Sequence, residues 1–138
     1  VSYLVDTCVI SELTKSRPDA GVVEWFGGCP EDQIFISSLT LGELNYGIAL
    51  LQNGKKKNDL IAWYNRFAES FKESTIPVTD SIAVRWGTER AGLRRTGKQL
   101  AVIDGLIACS AVEHNLVLVT RNTKDYQAVK VRLFNPWQ

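Results

Sequence analysis

The sequence predicts an α/β fold in which a central parallel sheet is covered by helices on both sides, and three observations carry that prediction. Short runs at 2–5 (SYLV), 34–36 (IFI), 116–119 (LVLV) and 131–134 (VRLF) are rich in residues that suit a pleated, buried surface. Between them, apolar residues recur at the three- and four-residue spacing of amphipathic helices. Strands separated by helices favour parallel pairing through right-handed crossovers.

In chain order, the strand at 2–5 stops at Asp6, and helices follow at 8–14 and 20–27, broken by Arg17-Pro18. Gly27-Gly28-Cys29-Pro30 ends the second helix ahead of the strand at 34–36. The helix at 39–52 is read from Leu41, Leu44, Ile48 and Leu51, which share one face. Asn53-Gly54 turns the chain into a helix at 58–72; a further helix at 80–95 ends at Thr96-Gly97. The last helix, 103–114, leads into the strand at 116–119, and 131–134 closes the sheet. Each break reads as a turn inside a single domain spanning 1–138, without an internal repeat or low-complexity tract.

Composition bounds the function. A domain near 138 residues buries roughly 68–70% of the surface of its unfolded chain, enough for a core without staples. With 45% hydrophobic and 22% charged residues, the chain belongs with globular proteins rather than with disordered or fibrous ones. Sixteen basic and fifteen acidic residues give a net charge of +1, so any nucleic-acid contact must be local. Cys8, Cys29 and Cys109 are odd in number and lack paired spacing, which argues against a disulfide framework and a thiolate zinc site. No stretch approaches the ~20 apolar residues of a membrane span, and the first apolar run is too short for a signal peptide. The expectation is a cytoplasmic protein with no membrane role.

Carboxyl ends of strands are where such sheets place ligands, and Asp6 stands at one. Glu43 lies in the early turns of a helix that follows a strand, and Asp104 is the only charge in the apolar helix start AVIDGLIA. Asp125 lies in the loop after LVLVT. Structural readings stand beside the chemical one: Asp6 and Asp104 as helix caps, Thr40 with Glu43 as a capping box, and Asp125 as a solvated loop residue.

Other chemistries fail on their parts. A serine triad lacks its base, because the lone His114 sits near a helix end where it complements the dipole, and no G-x-S-x-G elbow exists. GIALLQNGKK has six residues rather than four between Gly47 and Gly54, and Lys56 where a phosphate loop needs Ser or Thr. LVDTCV has Cys8 where a phosphoaspartate site would place a second aspartate. Several carboxylates forced together repel unless a cation joins them, and all-oxygen ligands suit Mg²⁺ or Mn²⁺. Phosphodiester hydrolysis by an activated water is the reaction such a site fits best.

The blocks LVDTCVISEL, ISSLTLGELNYGIALLQNGKKKN, GKQLAVIDGLIAC and LVTRNTKDY through FNPW, in that order and spacing, resemble the PIN-domain ribonucleases, specifically VapC- and FitB-type toxins of toxin–antitoxin pairs. The resemblance covers nearly the whole chain. It implies a three-layer α/β/α fold, with Asp6, Glu43 and Asp104 as metal ligands or, for Glu43, as the residue that orients the water. Where some relatives carry an aspartate directly after the T-R pair, this chain has Asn122, with Asp125 three residues on. Asn122 brings hydrogen bonds but no charge, and Asp125 is expected to act through water or by orienting the site. Thr7 and Thr120 are further hydroxyl candidates. The resemblance also implies a homodimer that pairs further, and a cognate antitoxin with a DNA-binding half that lays a basic side chain into the acidic pocket. The expected activity is metal-dependent cleavage of RNA. The alternative, kept open by Asn122, is a catalytically silent PIN-like domain acting as a protein partner in a DNA-bound repressor complex.

An RNA substrate needs positive charge beside the acidic pocket. Lys55, Lys56 and Lys57 form one basic run, and Arg85, Arg90, Arg94, Arg95 and Lys98 form another. Arg121 and Lys124 flank Asn122 in the proposed site's own loop. Trp25, Trp63, Trp86 and Trp137 are read as packing residues.

Overall fold

The structure, a computed structural model, describes residues 1–137. Among the described residues there are five strands: β1 (Tyr3–Val5), β2 (Ile34–Ser37), β3 (Thr75–Ile76), β4 (Val117–Val119) and β5 (Leu133–Phe134). They form one parallel sheet in the order β3-β2-β1-β4-β5. Six α-helices accompany them: α1 (Thr7–Leu13), α2 (Ala20–Gly28), α3 (Ser38–Ala49), α4 (Lys55–Ser70), α5 (Asp80–Arg95) and α6 (Val102–Glu113).

Alternation along the central strands sorts the helices into two layers. Leu4 and Leu118 pack with Ile82 and Leu93 of α5 and Ile107, Ala108 and Ala111 of α6. Their neighbours Val5 and Val119 turn to the other face, against Val9 and Ile10 of α1, Val22 of α2, Leu44 of α3 and Phe71. The result is the expected α/β/α sandwich. With both faces covered, strand residues are apolar on both sides, which is why the runs read as continuous rather than alternating.

Most boundaries fall within one or two residues of the sequence expectation, and the larger differences have local causes. β3 was not anticipated: two residues carry no periodicity, and the strand exists because Ile36 and Ser37 of β2 offer it a partner. α3 ends at Ala49, so Leu51 lies beyond it, and α4 begins at Lys55, three residues before the predicted start. Gly97 follows α5 with φ 73°, and the Lys98 N–H reaches the Leu93 carbonyl at 2.8 Å while the Gly97 N–H reaches Arg94 at 3.1 Å. This pair of bonds closes the helix in a Schellman turn that a side chain at Gly97 would strain.

Topology fixes where a site can form. The chain runs outward from β1 through β2 to β3 and then crosses to β4 and β5, so the strand order reverses beside β1. In a parallel sheet the crevice at the carboxyl edge of that reversal is the natural ligand position. α6 runs back toward the start of β4, which brings its first turn to the same edge.

Candidate active site

Asp6 follows β1 directly, and its own N–H is held by the Val119 carbonyl at 2.9 Å. It is 4% exposed. One carboxylate oxygen, Oδ1, accepts the Thr7 N–H at 2.8 Å and so caps α1. The other, Oδ2, accepts the Thr120 hydroxyl at 2.8 Å and the Tyr126 hydroxyl at 3.2 Å. The capping reading therefore holds on Oδ1, while Oδ2 meets two hydroxyls that come from beyond β4. Burial raises the Asp6 pKa; the Thr120, Thr7 and Tyr126 donors oppose that rise, and the Glu43 charge adds to it.

Glu43 stands in the second turn of α3 and reaches the same edge: its Oε1 lies 2.6 Å from the Thr7 hydroxyl, which also bonds Thr40 Oγ1 at 3.0 Å. A capping box is not its role, because the N-cap of α3 is Ser37, whose hydroxyl takes the Leu39 N–H at 3.1 Å. Asp104 likewise is not a cap. Ala101 holds that place on α6, and Asp104 sits two residues into the first turn.

Asp104 stands close to Asp6 and Tyr126: the Tyr126 hydroxyl donates to Asp6 Oδ2, and both carboxylate charges act on that hydroxyl. The Asp104 pKa is raised by burial first, then by the Asp6 charge, with the Asp125 charge adding a smaller push. Tyr126 is 1% exposed, and its hydroxyl is held protonated by burial and by the two neighbouring anions. Four segments thus meet at one edge: the end of β1, the early turns of α3, the start of α6 and the short 3₁₀ turn Thr123–Tyr126 that follows β4.

Asn122 and Asp125 sit at the rim, both exposed. Asn122 engages through its backbone, donating its N–H to Thr120 Oγ1 at 3.2 Å and accepting the Asp125 N–H on its carbonyl at 3.0 Å. Its main chain thereby holds the Thr120 hydroxyl that in turn holds Asp6. Arg121 lies over the Trp137 ring, 5.4 Å from its centroid, beside the acidic edge. Cys8 places its thiol 3.6 Å from Thr120 Oγ1 and 3.8 Å from Asp6 Oδ2; burial and the Asp6 charge raise its pKa.

Among the described residues, no three Asp, Glu, His or Cys side chains stand close enough to enclose an ion by themselves. The arrangement offers instead two mutually repelling carboxylates, Asp6 and Asp104, with Glu43 nearby. An ionised carboxylate has about four lone-pair sites. On Asp6, Oδ2 has three donors, the Thr120 and Tyr126 hydroxyls and the Cys8 thiol, and Oδ1 has one, so the open position is on Oδ1.

Comparison with known proteins agrees with this fold. The PIN-domain family model matches residues 3–131. The chain belongs to the PIN-domain family. Toxin FitB of Neisseria gonorrhoeae is 37% identical over 138 residues, covering 97% of each chain, and VapC ribonuclease Y4jK of Sinorhizobium fredii is 29% identical over 139 residues, covering 98% of this chain and 97% of the relative. Among solved structures, FitAcB from Neisseria gonorrhoeae superposes with a TM-score of 0.93 at 36% identity, covering 99% of both chains. VapBC2 from Rickettsia felis, bound to a fragment of its promoter DNA, superposes at 0.83 with 25% identity over all of both chains.

In this PIN domain the sequence singled out Asp6, Glu43, Asp104 and the two threonines, and missed Tyr126. The available signal was a tyrosine in a polar loop, TRNTKDY, where a buried aromatic needs a partner for its hydroxyl. The four tryptophans do pack: Trp25 against Tyr3 and Phe134, Trp63 on Phe67, Trp86 under Arg90 and Trp137 under Arg121.

Proposed function

We propose that this chain is a metal-dependent endoribonuclease and the toxin of a toxin–antitoxin pair. The observation that carries the proposal is the convergence of Asp6 and Asp104, ninety-eight positions apart in the sequence, beside one buried Tyr126 hydroxyl at the carboxyl edge of the sheet. Relatives named as ribonucleases support it, including the tRNA(fMet)-specific endonuclease VapC of Shigella flexneri, 32% identical over 132 residues. Neighbouring structures described as toxin–antitoxin complexes, some on DNA, support a cognate DNA-binding antitoxin and a homodimeric toxin within such an assembly.

The donor set fits a hard dication. Its oxygens are carboxylate oxygens, both carboxyl groups are held at raised pKa by burial and like charge, and a cation would relieve that repulsion. Asp6 and Asp104 would hold Mg²⁺ or Mn²⁺ and Glu43 would reach it directly or through water; two carboxylates with several waters is the usual manner of Mg²⁺ binding. Bound there, the ion would supply charge neutralisation at the phosphodiester and acidify water. The chain's own contribution is orientation. Thr120 and Tyr126 fix Oδ2 of Asp6 and leave Oδ1 with the Thr7 N–H as its one donor, while the Thr7 hydroxyl fixes Oε1 of Glu43 and leaves Oε2 to accept a proton from the attacking water. Asn122 steadies Thr120 through its N–H, and Asp125 adds negative charge at the rim.

The test is cleavage of RNA by the purified, antitoxin-free protein with and without EDTA, beside Asp6→Asn. Cleavage that survives both chelation and the substitution refutes the proposal.

A further inference from the structure

The second basic cluster of the sequence folds into a cleft that the site described above does not use. It is a hollow of about 850 Å³ between the end of α5 and the start of α6, lined by Trp86, Arg90, Arg94, Lys98, Leu100 and Val102 among others, with no acidic residue in its wall. The Schellman turn at Gly97 folds Lys98 back beside Arg94, and the other end of the hollow is Ala101 and Val102, within one helical turn of Asp104.

Charge is concentrated here, with Glu89 the one acidic residue in the stretch from Arg85 to Lys98. Arg85 on the same helix pairs with Glu113 at 3.1 Å and Lys55 pairs with Asp59 at 2.7 Å. Among the described residues, Arg90, Arg94, Arg95 and Lys98 pair with no carboxylate. The helix dipole explains cations in the last turn of α5, but not Arg90 a turn earlier or Lys98 beyond the end. Arg90 is instead held over the Trp86 ring, 5.2 Å from its centroid. Trp86 is itself fixed by α6: a Cβ on Gly105 would stand 3.0 Å from its Cδ1. The cations are thus tied to the helix that carries Asp104.

We infer that this cleft is the track for the RNA strand flanking the cleaved bond, with phosphates on Arg94 and Lys98. The inference rests on the ribonuclease reading. A single strand with one charge per nucleotide fits a row of unpaired cations that ends at a carboxylate site.

The test measures binding of a fluorescein-labelled single-stranded RNA of mixed sequence by anisotropy, in an Asp104→Asn background that stops cleavage and with the antitoxin removed. Arg94→Gln/Lys98→Gln is expected to weaken binding about tenfold at moderate salt and to lower the slope of log affinity against log salt by about 1.4, two phosphates at ~0.7 each. Lys72→Gln/Arg132→Gln, exposed cations that precede β3 and β5 at the opposite, amino edge of the sheet, is expected to stay within about twofold of the parent. Circular dichroism and melting confirm that each variant is folded. Equal losses in both double variants, or no loss in the first, overturn the cleft assignment while leaving the ribonuclease reading intact. Loss of antitoxin binding with RNA binding unchanged overturns it in favour of a protein partner. A parent that binds no RNA at all removes the ribonuclease reading, and the track with it.

Discussion

Replacing Tyr126 by Phe removes one oxygen atom and nothing else from the site, which makes it the sharpest probe of how the two buried aspartates are held. The ring stays in its buried place, while Asp6 Oδ2 keeps the Thr120 hydroxyl and the Cys8 thiol, and Asp104 loses the hydroxyl beside it. A hydrogen bond to an ionised group contributes about 1.5–3 kcal/mol. The contact to Asp6 is long, at 3.2 Å, so the lower end applies, about 1.5 kcal/mol. For a chain of 138 residues that corresponds to a fall in Tm of about 5–7 °C. The loss also has a pH signature. The bond matters when the carboxylates are ionised, so the difference from wild type is full well above the raised pKa values of Asp6 and Asp104 and shrinks as pH falls through them. Turnover is expected to drop about tenfold, equivalent to about 1.4 kcal/mol of misplaced carboxylate, with KM little changed. Melting curves at about pH 7 and about pH 4, with single-turnover RNA cleavage, provide the assay. A melting difference that is the same at both pH values would show that the hydroxyl acts on packing alone, and the linkage argument would fail.

Other outcomes follow from the same geometry. In metal-free buffer, Asp104→Asn should be more stable than wild type near neutral pH: a carboxyl whose folded pKa is raised costs stability above that pKa, and the cost disappears as pH falls below the unfolded value near 3.8. Thermal melts across that range check the sign, and a variant less stable at neutral pH counts against like-charge strain. Mn²⁺ should raise the Tm of the wild type by more than that of Asp104→Asn, as scanning calorimetry will show. Gly105→Ala should destabilise by about 1–3 kcal/mol, because its methyl meets Trp86 Cδ1 at 3.0 Å and must push the ring off α6; denaturant unfolding measures it, and a neutral result means the ring moves freely. Thr120→Val keeps the shape of the side chain but removes a 2.8 Å donor to Asp6, and should lower turnover further than it lowers stability.

Periodicity made the layers legible. Runs that are apolar on both faces, separated by amphipathic helices, leave few alternatives to a covered parallel sheet, and the helices fell within a few residues of their expected ends. What escaped was whatever depends on a partner rather than on local pattern. β3 is two residues long and becomes a strand only against β2. Ser37 caps α3 in place of the T-x-x-E signal because the strand before it delivers its hydroxyl to the Leu39 N–H. The acidic residues were visible as charges out of place in apolar segments, but Tyr126 was not. A tyrosine in a loop is ordinary until the fold buries it, and the two carboxylates beside it lie 120 and 22 positions away in the sequence.

Asp6 shows why local capping preference and site chemistry need not compete. A helix cap requires one acceptor oxygen, and a carboxylate has two. Placing Asp6 between β1 and α1 satisfies the first turn through Oδ1 and turns Oδ2 into the crevice, where Thr120 and Tyr126 meet it. Asp6→Asn therefore separates the two duties. An amide oxygen still accepts the Thr7 N–H, and hydroxyls at 120 and 126 can reverse to accept from the amide nitrogen, so the fold should hold to within about 1 kcal/mol by urea unfolding. The charge is gone, so Mn²⁺ binding by calorimetry should weaken by at least about tenfold, or about 1.4 kcal/mol. Unfolding of the variant together with loss of metal binding would mean that the charge itself is needed for the cap, and the division of labour between the two oxygens would be wrong.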